Sequence, residues 1–210
     1  MTDTEVFHLG KSQINEAGRL LGRAFYNYPA YTYIIPKEGT KREYLIGWLC
    51  SVMILYSHIH GHVYTATSSL GNLKGISVWI PPGYFPTSIV RMILLGMYAS
   101  PFKLGLSSFI RSILLMNSIE KYHNRDMRGD HWYLFLLGVE PTDKGQGIGS
   151  SLLQDFFRKS DAQGLPYYLE TFKEKNVYFY QKHGFEVIAK EKLLSRDLHC
   201  WTMKRIPKIK

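Results

Sequence analysis

A glycine-rich stretch between an apolar strand and an amphipathic helix constrains this chain more than any other feature. Residues 132–139 are apolar and predict a buried strand, which Pro141 ends. Gly145, Gly147 and Gly149 follow at alternate positions, and a helix with one apolar face begins beside them. The start of a helix presents unpaired backbone N–H groups at the positive end of its dipole, and glycines leave that backbone accessible. The stretch therefore predicts a site for a phosphate or pyrophosphate group.

Three known phosphate loops share parts of this pattern. A Walker loop requires Lys followed by Ser or Thr after the last glycine, and this chain lacks that pair. A dinucleotide fingerprint places Gly or Ala where this chain has Ser150, and it lies in an early βαβ unit. The third loop, [Q/R]-x-x-G-x-[G/A], binds pyrophosphate in CoA-dependent acyltransferases of the GNAT superfamily. Residues 144–149 resemble it except that Lys144 replaces Gln or Arg. A glycine-rich turn without a ligand is the alternative that the loop alone leaves open.

Composition excludes several classes of protein. The 210 residues are 45% apolar and 14% aromatic, which predicts one domain, 1–210, with a packed core. The net charge of +9 is scattered except in the tail 204–210, and no nucleic-acid-binding motif accompanies it, so we expect no nucleic-acid partner. Cys50 and Cys200 are the only cysteines, which excludes a disulfide framework and a zinc cluster. The first residues lack the pattern of a secretory signal, and we expect a cytoplasmic protein.

Hydrophobic periodicity predicts an α/β chain in which strands are interspersed with helices. Predicted strands are 6–9, 62–67, 74–80, 132–139, 167–171, 185–188 and 198–203; predicted helices are 14–25, 40–60, the one that follows Gly149, and 176–183. Pro29 marks the end of the first helix, because the residue before a proline disfavours helical dihedrals. Residues 81–130 contain apolar helical stretches at 89–98 and 109–119 and no clear strand. We interpret them as a helical insertion between the third and fourth strands that covers one mouth of the sheet. Their apolar runs are too short to span a membrane, and attachment at a membrane interface is the weaker alternative.

Two clusters of side chains could bind a metal or a ligand, but we interpret both as structural. His58, His60 and His62 alternate along the chain, so no pair shares a helical face, and we expect no metal site. Four tyrosines lie between residues 26 and 33, and we expect partly buried packing with satisfied hydroxyls in preference to ligand contacts.

Several spaced motifs resemble the GNAT superfamily of N-acetyltransferases, and in particular its puromycin N-acetyltransferase-like branch. The branch carries W-[YF]-L-x-x-x-G-V, G-x-G-[IL]-G-S, L-E-T and N-x-x-F-Y-x-x-x-G-F in that order. This chain has them at 132–139, 145–150, 169–171 and 176–185. The strong part of the resemblance covers residues 131–187 and implies an acetyl-CoA-binding core there. It also implies a GNAT-like α/β fold with a mixed, mostly antiparallel sheet of six or seven strands flanked by helices.

The resemblance implies a cleft for acetyl-CoA where the strand at 132–139 splays from the strand at 167–171. The backbone amides of Leu137 and Val139 on that first strand would hold the pantetheine arm, and the glycine loop would hold the pyrophosphate. Asn176 would steady the pantetheine arm, and Tyr180 would protonate the departing thiolate. The implied cofactor-binding set is Leu137, Gly138, Val139, Lys144, Gly145, Gln146, Gly147, Ile148, Gly149, Ser150, Asn176 and Tyr180. The resemblance implies no metal.

The sequence indicates the general base less clearly than it indicates Tyr180 as the proton donor. Glu170 ends an otherwise apolar strand, where an unpaired carboxylate would be costly, so we prefer it as the second catalytic residue beside Tyr180. Glu140, His131 or a water molecule are the alternatives. Whether Lys144 contacts the pyrophosphate stays open, because a lysine offers a point charge instead of a planar fork.

These residues lead to one preferred function. We expect an N-acetyltransferase that moves an acetyl group from acetyl-CoA to a small-molecule amine by direct transfer in a ternary complex. No cysteine lies on the predicted cleft strands to form an acyl-enzyme. The first two helices and the insertion would line an acceptor pocket of apolar character. The alternatives are a peptide or protein N-acetyltransferase and a non-catalytic CoA-binding module. Homodimerisation is left open.

Overall fold

A seven-stranded mixed sheet organises the chain in the computed structural model, which describes residues 4–60, 62–85, 89–194 and 198–207. The strands are β1 Thr4–His8, β2 Val63–Ser68, β3 Leu73–Ile80, β4 Trp132–Val139, β5 Tyr167–Thr171, β6 Glu186–Lys192 and β7 His199–Arg205. Their order across the sheet is β1-β2-β3-β4-β5-β7-β6. Only the β4–β5 pair is parallel among the pairs that the structure describes. The predicted mixed, mostly antiparallel α/β sheet is thus confirmed.

Helices flank both faces of this sheet. The α-helices within the described residues are α1 Ile14–Ala24, α2 Pro29–Ile34, α3 Thr40–His58, α4 Ile89–Leu94, α5 Ser100–Leu104, α6 Leu106–Asp126, α7 Ile148–Ser160 and α8 Glu174–Gln181. The three helices α4, α5 and α6 lie between β3 and β4, where the helical insertion was predicted. None of the described helices combines the length and the apolar character needed to cross a bilayer.

The largest departures from the predicted elements are in α2 and α6. Pro29 was interpreted only as the end of the first helix, but it occupies the first turn of α2, where its fixed φ favours helix and its missing N–H costs nothing. Helix α6 extends well beyond the predicted 109–119 because its polar last turns are also helical. Gly61, residues 86–88 and residues 208–210, which belong to the predicted turn, insertion and basic tail, lie outside the described residues.

The two faces of the sheet carry separate hydrophobic clusters. On one face Ile76, Val78 and Leu136 pack with buried residues of α1, α2, α3 and α6. On the other face Trp79 stacks on Phe156 of α7, with ring centroids 4.0 Å apart. The alternation of Val78 and Trp79 between these clusters is the period of two expected of a strand that is buried on both faces.

The parallel pairing between β4 and β5 is very short. Only Trp132 pairs with Tyr167 and Tyr133 with Tyr168 in the described residues. On its other side β4 follows β3 as far as Val139, with a register shift that leaves Phe135 without an opposite residue. This β-bulge adds local twist to β4. The β5 side of β4 is therefore open after its second residue, and the two strands splay apart.

Helices α1 and α3 approach each other closely through glycines. A Cβ on Gly22 would lie 2.6 Å from the carbonyl oxygen of Glu43 and 3.2 Å from the Cα of Gly47. Because both obstacles are backbone atoms, neither can move aside as a flexible side chain would. This contact holds α1 against α3 beside the sheet.

The substitution Gly22→Ala should therefore destabilise the protein. The better helix propensity of Ala contributes up to about 1 kcal/mol, whereas overpacking against backbone costs about 1–3 kcal/mol, so the free energy of unfolding should fall. Urea denaturation followed by circular dichroism measures it. Gly129→Ala is the matched control, because a Cβ there meets nothing within 4 Å. Equal stability of the two variants would contradict the close helix contact.

Candidate active site

Two adjoining cavities lie where β4 and β5 separate. The first, which we call the long groove, has a volume of about 670 Å³ and follows the loop between β4 and α7. The second, the inner cavity, has a volume of about 120 Å³ and lies between α2, α6 and the middle of β4. Five residues line both cavities: Phe25, Tyr28, Leu137, Asn176 and Tyr180. A molecule in the long groove would therefore border the inner cavity at these residues.

The glycine loop forms one wall of the long groove. Gly145 and Gly147 have φ angles of +86° and +81°, which L side chains rarely adopt. Helix α7 begins directly after Gly147, and no side chain caps it. The amides of its first turn thus face a groove without a capping side chain, which is the arrangement that binds anions at helix N-termini.

A buried ion pair holds this loop against the sheet. Asp143, in the turn that follows β4, accepts hydrogen bonds at 3.0 and 2.9 Å from Lys74 Nζ on β3. The Asp143 side chain is 11% exposed and that of Lys74 29%, so water screens this pair less than a surface pair. The pair holds the residue that precedes the glycine loop against β3.

Four lysines give the long groove a positive charge: Lys144, Lys173, Lys175 and Lys182. Burial lowers the pKa of Lys173, and the charges of Lys175 and Lys144 lower it further. Mutual repulsion of this kind is relieved when an anion binds among the cations. Only Lys144 was predicted from the sequence, and the structure places it on the groove wall.

The open side of β4 supplies backbone donors to the same groove. The amide of Glu140 donates to Lys74 O on β3 at 2.9 Å. Amides alternate in direction along a strand, and the register between β3 and β4 is regular from Leu136 to Val139. The amides of Val139 and Leu137 therefore point away from β3, into the groove. These are the two amides that the sequence resemblance implied for the pantetheine arm.

The border between the two cavities is polar and tightly connected. The Tyr28 hydroxyl is 3.1 Å from Thr171 Oγ1 and accepts the Phe172 amide at 2.9 Å. Asn176 Nδ2 donates to the same Thr171 oxygen at 3.2 Å. Tyr180 is buried here, and burial raises its pKa, so its phenol keeps its proton at neutral pH.

The inner cavity is apolar except for one carboxylate. Its walls include Phe25, Ile34, Leu115 and Phe135, and Glu170 of β5 reaches it from the sheet. The Glu170 side chain is only 4% exposed, and its Oε1 lies 3.4 Å from Nδ1 of His123 on α6. Burial of an ionisable group in such surroundings is costly unless a partner or a ligand compensates it.

The other predicted base candidates lie outside both cavities. Glu140 accepts hydrogen bonds at 2.7 to 3.3 Å from the guanidinium of Arg23 on α1, a two-pronged pair that occupies its carboxylate. His131 precedes β4, and its Nδ1 lies 2.6 Å from Gly129 O. Neither residue lines the long groove or the inner cavity. Glu170 is the predicted candidate that the structure places at the inner cavity.

Neither cysteine lines either cavity. Cys50 and Cys200 are free and buried. Burial raises the pKa of Cys50 to about 12 and also raises the pKa of Cys200. Both thiols are thus protonated and inert at neutral pH, and neither is placed to act as a nucleophile.

Several site residues were missed by the sequence-based prediction. Lys173 and Lys175 directly follow β5, and a search for cations after that strand could have found them. Tyr28 was assigned to packing. Its hydroxyl is satisfied, as expected, but its ring also lines both cavities. His123 gave no sequence signal, because only the folded insertion brings it to Glu170.

The long groove fits the pantetheine and pyrophosphate parts of a CoA thioester. Its volume lies within the range usual for ligand sites. It offers the helix start and lysines for phosphates and the strand amides of Leu137 and Val139 for an extended amide-containing arm. In the described residues no three His, Cys, Asp or Glu side chains are grouped so that they could hold a metal ion.

Comparisons with known proteins agree with this arrangement. Residues 114–187 match the family model described as an acetyltransferase (GNAT) domain. An uncharacterised N-acetyltransferase of Schizosaccharomyces pombe is 29% identical over 186 residues, which are 87% of this chain and 74% of that protein. Residues 114–187, which match the family model, include β4, the glycine loop, Glu170 and Tyr180.

Solved structures share the fold over nearly the whole chain. A Corynebacterium glutamicum protein described as histone acetyltransferase HPA2 and related acetyltransferase superposes with a TM-score of 0.72, at 18% identity, over 100% of this chain and 99% of that one. Arylalkylamine N-acetyltransferase 2 from Aedes aegypti gives a TM-score of 0.68 at 12% identity, over 99% and 100%. At these identities the likeness establishes the fold alone. The finer resemblance to the puromycin branch stays a prediction.

Inorganic pyrophosphate should bind the long groove, and Lys173→Gln should weaken it about tenfold through loss of one charge-assisted hydrogen bond. A bound anion favours the charged form of Lys173 and raises its lowered pKa, so binding should draw protons from the buffer at alkaline pH. Titration calorimetry in buffers of different ionisation enthalpy measures both effects. Lys37→Gln, at an exposed lysine outside the groove, is the control. Equal affinity of the two variants would remove Lys173 from the site.

Proposed function

The chain belongs to the GNAT superfamily of N-acetyltransferases, and from that premise we propose that it transfers an acetyl group from acetyl-CoA directly to the amine of a small molecule. One observation carries the proposal. Glu170 and Tyr180 line the same inner cavity, and Tyr180 and Asn176 also line the long groove. A proton acceptor and a proton donor therefore border the space where the two substrates would meet.

The donor side rests on the long groove. The amides at the start of α7 and the lysines would hold the pyrophosphate, and the amides of Leu137 and Val139 would hold the pantetheine arm. An extended arm bonded to β4 would occupy the position that a parallel strand occupies elsewhere in a sheet. This binding would direct the thioester toward the border of the two cavities, and acetyl-CoA is the co-substrate that the family uses.

Tyr180 is proposed as the general acid. Its burial and raised pKa keep the phenol protonated, so it can donate to the thiolate as the thiolate leaves. Asn176 is fixed beside it through its hydrogen bond to Thr171, which also holds Tyr28. Tyr180 thus lies on α8, and the hydrogen bond from Asn176 to Thr171 joins the first turn of that helix to β5.

Glu170 is proposed as the general base. An amine that enters as an ammonium ion must lose a proton before it can attack the thioester carbonyl. The Glu170 carboxyl is the acidic group on the wall of the inner cavity, among apolar residues that exclude water. In this setting it would bind the ammonium group electrostatically and then accept its proton.

Direct transfer is favoured because no thiol lines the site to form an acyl-enzyme. The residues that line the two cavities include no cysteine, and both thiols carry raised pKa values. A ternary complex of both substrates is therefore the simplest mechanism. Free, buried cysteines are also usual in a reducing compartment, which supports the proposed cytoplasmic location.

The inner cavity favours a compact amine with an apolar body. Its volume of about 120 Å³ is small, and aromatic and aliphatic side chains from α2, α3, α6 and β4 form most of its wall. A single buried carboxylate suits one cationic head group. The Aedes aegypti structure of the same fold is named for arylalkylamine acetylation, which agrees in chemical class with this cavity.

An amine panel tests the proposed function. Purified protein with acetyl-CoA should acetylate apolar primary amines in preference to peptides with free N-termini, and Tyr180→Phe should lower kcat by at least about tenfold while acetyl-CoA binding is retained. Thiol release measures turnover, and calorimetry measures binding. Absence of acetyl-CoA binding at micromolar protein, or a preference for peptides, would overturn the proposal.

The substitution Glu170→Gln should distinguish a role of Glu170 in catalysis from a role in binding acetyl-CoA. The amide keeps the shape of the side chain but cannot accept the proton, so we expect kcat at neutral pH to fall about 100-fold with acetyl-CoA affinity unchanged. Glu140→Gln is the matched control, because Glu140 bonds Arg23 outside both cavities. A Glu170→Gln enzyme with the wild-type kcat would exclude this residue as the base.

A further inference from the structure

Two buried histidines lie behind Glu170. We propose that His123 and His131 form a proton path that carries the amine's proton from Glu170 toward the protein surface. The proposal rests on the proposed role of Glu170 as base. It concerns residues that touch neither substrate, so they act through Glu170 and not as catalytic residues themselves.

The three side chains form one chain of contacts. Glu170 Oε1 lies 3.4 Å from His123 Nδ1, and His123 Nε2 lies 2.6 Å from His131 Nε2. At the far end His131 Nδ1 lies 2.6 Å from Gly129 O. His123 is completely buried and His131 is 9% exposed, so solvent access increases along the path.

The carbonyl of Gly129 fixes the protonation of the path. A carbonyl oxygen only accepts, so His131 Nδ1 must carry the hydrogen of that bond. Neutral His131 then offers a lone pair at Nε2, and His123 must donate to it from its own Nε2. Neutral His123 consequently presents a lone pair at Nδ1 to the Glu170 carboxylate.

A lone pair facing a carboxylate would be repulsive, so one proton belongs between Glu170 and His123. Oε1 of Glu170 and Nδ1 of His123 form no hydrogen bond in the part of the chain that the structure describes, and their separation of 3.4 Å is an ion-pair distance. The Tyr133 hydroxyl faces the same carboxylate. The pair is thus either an acid with a neutral imidazole or a carboxylate with an imidazolium. Both states have the same total charge, and the proton moves between them over one contact.

This arrangement can export the proton that the amine gives up. The step starts from the Glu170 carboxylate beside the His123 imidazolium: when the ammonium N–H bond breaks, an O–H bond forms on Glu170 and the cluster gains one positive charge. The His123 imidazolium passes its Nε2 proton to Nε2 of His131, and His131 releases its Nδ1 proton to water, which breaks its bond to Gly129 O. The cluster then has its original charge, with hydrogens on Nδ1 of His123 and Nε2 of His131. Burial lowers the pKa of His131, with His123 contributing, which favours this release at neutral pH.

The surroundings keep water away from the inner part of the path. The Phe85 ring stacks on His123 with centroids 3.5 Å apart, and Tyr133 and Tyr168 contact the same imidazole. Charged and titratable groups that face the cluster are Tyr133 from β4, Tyr168 from β5, Asp126 from α6, Cys200 from β7 and Asp130 beside His131. Among them Asp126 accepts from the Tyr168 hydroxyl at 3.3 Å.

A purely structural cluster would be an expensive choice here. Two imidazoles and a carboxylate could be replaced by apolar side chains that pack without polar atoms. The cluster also joins β5 to the last turns of α6 and the segment before β4, which lie far from β5 in sequence. It leads from the inner cavity to His131, the more exposed of the two histidines, which a packing role does not require.

The pH dependence of kcat distinguishes the two roles. His131→Gln should lower kcat about tenfold at pH 7 and progressively less toward the pKa of the amine, because an amine that arrives already neutral needs no proton path. The KM for acetyl-CoA should not change. Imidazole added to a His131→Ala enzyme should restore part of the rate. His8→Gln, at an exposed histidine on β1, should keep the wild-type profile.

A second measurement does not depend on turnover. Nitrogen-15 spectra of the histidine side chains should show His131 protonated at Nδ1, and Glu170→Gln should shift the Nδ1 signal of His123. His131 found with its hydrogen on Nε2 would overturn the path even in an active enzyme. A uniform loss of kcat at every pH in His131→Gln would also overturn it, whereas failure of the amine panel with the expected tautomers would count against the proposed function alone.

Discussion

The early separation of β4 from β5 is the constraint on which the rest of the site depends. Two residue pairs join these parallel strands, and the bulge at Phe135 turns the remainder of β4 away. The separation frees the amides of Leu137 and Val139, which a continuous sheet would have used. It also opens the space into which Glu170 and Tyr180 project. A single irregularity in strand pairing thus supplies unused backbone donors and a cavity together.

The two cavities beside this gap differ in their electrostatics. Lysines and a helix start make the long groove positive, while the inner cavity is apolar around one buried carboxylate. A polyanionic donor and a cationic acceptor would therefore be drawn to different ends of one continuous space. Tyr28, Asn176 and Tyr180 lie at the border between the two cavities.

Much of this arrangement was predictable from local sequence. Apolar periodicity predicted the seven strands, and the glycine-rich stretch predicted the helix start that α7 shows. Phosphate binding at that helix start stays a prediction. Long-range contacts were not predictable. The pairing of Glu140 with Arg23, and of Glu170 with His123, depends on how α1 and α6 pack across the sheet. Helix α2 was missed because Pro29 can equally end one helix or begin the next.

The two-residue junction between β4 and β5 also has a mechanical consequence. Strands β1–β4 form one half of the sheet and β5–β7 the other, and little backbone bonding holds the halves together at that seam. A ligand that bonds to the loop before α7 on one side and to α8 on the other spans the seam. Its binding free energy then resists separation of the halves, and folded protein becomes more persistent as free ligand rises. The co-substrate would then stabilise the folded protein reversibly as well as take part in the reaction.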